Sequence, residues 1–148
     1  MKPTLLACSA ALLAMTGLAA GAASPAKTIQ DRVANFKTMG KSMKAISDQL
    51  RTPAADMAAI SFNARIVADA SHKVGNFFPR GTGPEAGVKT GALPAIWAKP
   101  ADFKAAAAKL VAATKQLQAA GTVDQAKAAF PQVGASCKGC HDSFRAKD

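Results

Sequence analysis

The chain has 148 residues, 19 of them Lys or Arg against 9 Asp or Glu, which sets a formal net charge of +10 at pH 7. That length makes one domain, large enough to enclose a cofactor and too short for a second module. Lys37, Lys41, Lys44, Lys73, Lys104, Lys109, Lys115 and Lys127 are spread singly along helical faces. They lack the clustered arginines and interleaved aromatics of a nucleic-acid surface, which excludes nucleic acid as a partner and leaves a solvated face able to steer acidic proteins.

Met1-Lys2-Pro3 carries one charge ahead of an apolar run from Leu5 to Leu18, and Ala20-Gly21-Ala22 closes it with a small-residue cleavage pattern. Residues 1–22 therefore read as a cleaved secretory signal, with 23–148 as the mature domain. The run is shorter than the ~20 residues that span a bilayer, so no membrane anchor is expected. Cys8 stands at the start of the run, where a lipid-bearing cysteine would follow it, and leaves with the signal. The mature chain then has no cysteine outside its C-terminal pair and no disulfide framework.

From Ile29 the apolar positions step by three and four through Val33, Phe36, Gly40, Met43, Ile46 or Ser47, and Leu50, the pattern of one amphipathic helix. Thr52-Pro53 offers an N-cap and first-turn proline for a second helix, with Ile60, Ala64, Val67, Ser71, Val74 and Phe78 inward and Pro79 as its end. Gly81, Gly83, Gly87 and Gly91 with Pro79, Pro84 and Pro94 leave no regular structure between 79 and 94. So long a loop in a compact domain calls for a function. Phe77-Phe78 and Ile96-Trp97 predict that it is pinned on both sides, with the Trp97 indole N–H needing an acceptor.

A third helix starts near Pro100-Ala101-Asp102, turns Phe103, Ala107, Leu110, Thr114 and Leu117 inward, and stops at Gly121 as a C′ residue. Thr122-Val123-Asp124-Gln125 matches a capping box and opens a fourth, whose inner face is Ala126, Phe130, Val133, Cys137, Cys140 or His141, and Phe144. Pro131 conflicts with a smooth helix: it predicts a kink between Lys127 and Pro131, or a helix that begins only at Pro131. Short links make helices one and two, and three and four, antiparallel hairpins. The expected fold is an all-α antiparallel four-helix bundle.

The last of these helices carries Cys137-Lys138-Gly139-Cys140-His141. Two cysteines three apart share a helical face and can form thioethers to both vinyl groups of a porphyrin, and the following histidine can give Nε2 to the iron. A structural zinc site would need two further ligands, and only His72 and Cys8 remain. A thioredoxin-like Cys-x-x-Cys belongs in a βαβ unit. One covalent haem c near one end of the bundle is the reading, with Cys137 and Cys140 attaching it and His141 as axial iron ligand. Bacteria attach such haem outside the cytoplasm, which suits export to the periplasm. His72, between Ser71 and Lys73, reads as a surface side chain.

The order of these features resembles the cytochrome c′ family over essentially the whole mature chain. The resemblance rests on Arg32 with Phe36 and Met43, on Phe78-Pro79-Arg80-Gly81-Thr82, on Lys89-Thr90 with Pro94-Ala95-Ile96-Trp97, on Asp102-Phe103, and on Cys137 to His141 followed by Phe144-Arg145. It implies a five-coordinate, high-spin iron with His141 below and Phe36 blocking the other face. Phenylalanine cannot ligate; low-spin relatives carry a methionine ligand at that position, whereas Met39 and Met43 read here as core filler. It also implies Arg32 and Thr90 near the haem propionates, with Val33 an apolar contact where relatives often have a polar one. Arg145 would sit one turn from His141 and temper its basicity, and Ala95 stands where relatives often have Glu.

The function so implied is that of a haem protein, not an enzyme, that binds nitric oxide and carbon monoxide and undergoes one-electron redox. Oxygen should bind poorly without a polar distal donor. The alternative is a simple electron carrier between redox partners, acidic ones given the charge; a peroxidase would need a distal acid-base residue that Phe36 cannot be. Members of the family often pair through their first two helices, and the small residues Ala34, Ala45 and Ala59 permit a homodimer of that kind.

Overall fold

A computed structural model describes residues 23–147. The signal-peptide reading of residues 1–22, Cys8 included, lies outside the described residues. The helices are α1 (Pro25–Leu50), α2 (Met57–His72), the single turn α3 (Ala95–Ala98), α4 (Pro100–Gln118) and α5 (Val123–Phe144), with tight 3-10 turns at Val74–Phe77 and Pro84–Ala86. Among the described residues there is no strand. The four long helices form the antiparallel bundle, and no helix among the described residues is long and apolar enough to cross a membrane.

Helix α1 starts where its sequence asks: the Ser24 hydroxyl accepts from Lys27 N at 3.3 Å and Pro25 occupies the first turn. Its buried face differs from the apolar stripe. Ile29, Arg32, Met39, Ser42 and Ile46 are buried, Phe36 and Met43 are half-buried, and Val33 and Gly40 face out. The inner position near the start of the helix goes to Arg32, because acceptors from the long loop surround its guanidinium.

The start of α2 also differs. Its N-cap is Asp56, whose Oδ1 accepts from Ala58 N at 2.8 Å, four residues beyond Thr52. Thr52 instead ends α1, donating from both its N–H and its hydroxyl to Gln49 O at 3.0 and 3.2 Å. At the other end α2 stops at His72 and tightens into Val74–Phe77 before Pro79 is reached, and Phe78 has left the helical region at φ −122°, ψ 48°. The residue before a proline is disfavoured there.

Gly121 does not end α4. That helix stops at Gln118, Ala119 and Ala120 bond back to Lys115 and Leu117, and Gly121 gives its N–H to Gln125 Oε1 at 2.8 Å. Gln125 N in turn donates to the Thr122 hydroxyl at 3.2 Å, so the capping box closes with its glutamine reaching one residue further back than usual. Helix α5 runs unbroken through Pro131, against a restart there. Pro131 and Lys127 are both exposed, so water can serve the Lys127 carbonyl that the proline leaves without a donor.

Packing runs around three sides of a square: α1 on α2, α2 on α4, α4 on α5. Ile46, Ile60, Val67, Leu117, Ala126 and Val133 are almost completely buried, and a buried Ser71–Thr114 hydroxyl pair at 2.9 Å ties α2 to α4. The fourth side, between α1 and α5, is sparsely filled. At one end of the bundle, where α2 and α5 finish and α4 begins, the core turns aromatic. Phe78 stands against Phe103 (4.8 Å between centroids), Trp97 (6.2 Å) and Phe36 (6.4 Å), and Phe103 meets Phe144 at 5.3 Å.

Candidate haem site

Cys137 and Cys140 lie on the inner flank of α5, both half-buried and both free thiols. Burial raises the pKa of each, so they are held as neutral S–H groups. His141 follows on the exposed flank. Protein mass on its inner side is the larger cause that lowers its pKa and the Arg145 charge the smaller, with Asp142 acting against both. The imidazole is thereby kept neutral, the form in which a ring nitrogen can bind a metal.

The end of α5 is fixed by the long loop. Leu93 N donates to Phe144 O at 3.0 Å, Ala146 N donates to Gly91 O at 2.8 Å, and Ala92 pairs antiparallel with Arg145. The same loop is fixed to α1 by Arg32. Its Nη1 donates to Phe77 O (3.2 Å) and to the Thr82 hydroxyl (3.4 Å); its Nη2 donates to Thr82 O (2.9 Å) and to the Thr90 hydroxyl (2.7 Å). Residues 77–93 thus strap α1 to α5 across the open side of the square. Trp97 fastens the root of the strap as its aromatic pattern predicts, donating from Nε1 to Phe78 O at 3.0 Å and Pro79 O at 3.2 Å. Gly83 lets the chain pass beneath it, since a Cβ there would come within 2.9 Å of the Trp97 ring.

Arg32 is only 3% exposed, so its charge is held inside the fold and not on the solvated face of α1. Among the described residues its hydrogen-bond acceptors are backbone carbonyls and hydroxyls, with no carboxylate, and burial lowers its pKa. A buried cation without a counter-charge calls for an anion nearby. Thr90 spends its oxygen as an acceptor, from Arg32 and from Ala92 N at 3.2 Å, which leaves its own proton to give. Phe36 is half-buried one turn after Arg32, and Val33 between them is 41% exposed. Met39, a turn beyond Phe36, is buried, with its sulfur facing the Asn35 amide at 4.0 Å.

These features fit a flat apolar group with an anionic edge, attached through thiols and ligated by an imidazole: a haem. A groove of about 810 Å³ between α4 and α5 has Cys140 and Phe144 in its walls but none of Arg32, Phe36 and Thr90, so volume alone does not mark the site. Sequence patterns gave Thr82 and Phe78 no role at the site beyond motif and core membership. Thr82, 2% exposed, is an anchor of the Arg32 network, and Phe78 lies under that guanidinium, its ring centre 4.5 Å away. The signal was present only as their adjacency in Phe78-Pro79-Arg80-Gly81-Thr82.

The family model described as Cytochrome C' matches residues 27–145. Cytochrome c′ of Rhodopseudomonas palustris is 40% identical over 123 residues, 80% of this chain and 82% of that one. Among solved structures, cytochrome c′ from Thermochromatium tepidum superposes with a TM-score of 0.79 at 31% identity, over 84% of this chain and 98% of that one. A nitric oxide complex of a mutant cytochrome c prime from Alcaligenes xylosoxidans superposes at 0.74 with 30% identity, over 84% and 98%. The chain belongs to the cytochrome c′ family, and as such it carries one covalently bound haem c.

Proposed function

We propose that this protein is an exported, periplasmic cytochrome c′ whose iron is five-coordinate and high-spin, binds nitric oxide and carbon monoxide behind a steric cover, and exchanges single electrons. The haem supplies the iron at which a diatomic ligand binds and an electron is gained or lost. Cys137 and Cys140 would hold it to α5 through thioethers, and neutral His141 would offer Nε2 to the iron. The Arg32 charge would attract the propionate edge while its Nη hydrogens stay on the strap, and the Thr90 hydroxyl would donate to that edge, with Val33 beside them. Arg145, one turn from His141, withholds the proton that would compete for the imidazole.

The observation that carries this reading is Phe36. A half-buried phenyl ring stands one turn from Arg32, against Phe78, where a ligating side chain would saturate the iron. The nearest methionine on that face, Met39, is buried with its sulfur turned to Asn35. A phenyl cover admits small ligands and offers bound oxygen no hydrogen bond, and it supplies no acid or base for peroxide chemistry. The nitric oxide complex of the Alcaligenes xylosoxidans relative supports the choice of ligand. A simple electron carrier is the second reading, favoured by the exposed Lys138, Arg145 and Lys147 around the haem-bearing helix end.

Two substitutions test it. Phe36→Met should move the visible spectrum toward low spin, because a thioether then faces the iron. Phe36→Ala should speed carbon monoxide binding to the ferrous protein. Spectra and rates unmoved by both would place the cover elsewhere and refute the proposal.

A further inference from the structure

We infer that Arg32 is a positioning residue for that cover: it holds Phe78 against Phe36 and so sets how readily a diatomic ligand reaches the iron. The inference rests on Phe36 being the cover, and goes beyond it by naming what stiffens it.

The geometry leaves the guanidinium little freedom. All four Nη hydrogens have acceptors, in Phe77 O, the Thr82 hydroxyl, Thr82 O and the Thr90 hydroxyl. Held in that way, the planar cation lies 4.5 Å from the centre of the Phe78 ring, within the range of attraction to an aromatic face. Phe78 meets the edge of Phe103 at 4.8 Å, and its carbonyl accepts from the Trp97 indole. Phe78 is thereby gripped through its ring and through its backbone.

Phe36 rests on this gripped ring at 6.4 Å. A ligand entering behind Phe36 must displace it, and a displaced ring needs a neighbour that yields. Phe78 is the aromatic neighbour in its way. Arg32 and Phe36 are one turn apart on α1, so a single helical turn carries both the cover and the clamp on what backs it. Filling this interior position with a cation is expensive when Val33, the next residue, could have been turned inward. The cation supplies what valine cannot, an attraction for the Phe78 face together with four directed bonds that aim it.

The test uses the haem-loaded protein and compares Arg32→Met, Arg32→Lys, Phe78→Leu and the Arg32→Met/Phe78→Leu double variant. Carbon monoxide association is followed by stopped flow, and amide hydrogen exchange over residues 77–90 is measured alongside. Arg32→Met and Phe78→Leu should each raise the association rate severalfold to about tenfold, the scale of one lost cation–π contact, and the double variant should be no faster than the faster single. Arg32→Lys keeps the charge and loses most of the directed bonds, so its rate should fall between parent and Arg32→Met.

Additive effects of Arg32→Met and Phe78→Leu would overturn the inference. So would accelerated exchange over 77–90 in Arg32→Lys or Arg32→Met with the association rate at the parent value, because Arg32 would then hold the strap alone. If Arg32→Met does not fold, Arg32→Lys decides by the same criterion. A fast Phe36→Ala protein beside unchanged Arg32 variants would sink this inference and leave the cover standing, whereas an unchanged Phe36→Ala rate would sink the cover itself.

Discussion

A charged side chain, Arg32, organises the candidate site from inside. Its burial is affordable because four neutral acceptors replace water and the Phe78 ring covers its face. The opposite arrangement holds at His141, whose protonated form is disfavoured first by the protein mass beside it and then by Arg145. A histidine whose pKa is lowered in the folded protein stays neutral until the pH falls through that lowered value. Acid releases the imidazole from iron by placing a proton on Nε2, so lowering its basicity shifts release to lower pH. Arg145→Gln removes the second cause and leaves the first. The acid transition of the ferric Soret band should therefore move upward in pH in that variant, and a midpoint unmoved or lowered would contradict the role of Arg145.

Among the helices, both ends of α2 show how local signals compete. Thr52-Pro53 is a good N-cap pair by composition, yet the Thr52 hydroxyl turns back to Gln49 while Asp56 caps α2. Asp56→Ala should lower stability by about 1 kcal/mol and Thr52→Ala by less than about 0.5 kcal/mol, read from urea midpoints. The reverse ranking would restore Thr52 as the cap. In α5 the tolerated proline sits in the helix interior on its solvent face. Pro131→Ala restores an N–H for Lys127 O, a gain of about 3 kcal/mol in a helix interior, less up to about 1 kcal/mol for the freer unfolded chain. A net stabilisation of about 2–3 kcal/mol is expected, and a loss would mean that the proline holds a bend the fold requires.

At the scale of the molecule, the bundle closes three of its sides by direct helix packing and the fourth through the strap of residues 77–93. The haem attached to α5 would fill that fourth side and give the strap's donors their anionic partner. Arg80 and Lys89 stand exposed on the strap and offer tryptic sites. Trypsin should cut there more slowly in the haem-loaded protein than in the haem-free chain, and equal rates would show that haem does not order the strap. If the protein acts as the electron carrier of the second reading, an acidic partner would be drawn to this end by an attraction that salt screens over a Debye length of about 8 Å.

Read alone, the amino-acid sequence determines the four long helices, how they pair, and a haem c as cofactor. Periodicity and Cys-x-x-Cys-His depend on neighbours within one or two turns, and these are local. It also forecast the Trp97 indole bond, since a half-buried indole N–H needs an acceptor. Only the tertiary structure decided that Arg32 turns inward while Val33 turns out, because the acceptors that make this favourable come from Phe77, Thr82 and Thr90, 45 to 58 residues away. The same holds for the strap across the open side: its hydrogen bonds join Gly91 and Leu93 to the end of α5, a pairing with no periodic signal in either segment. Hydrophobic patterning records which face of a helix is apolar. Which polar group is satisfied inside depends on what the rest of the chain brings to it.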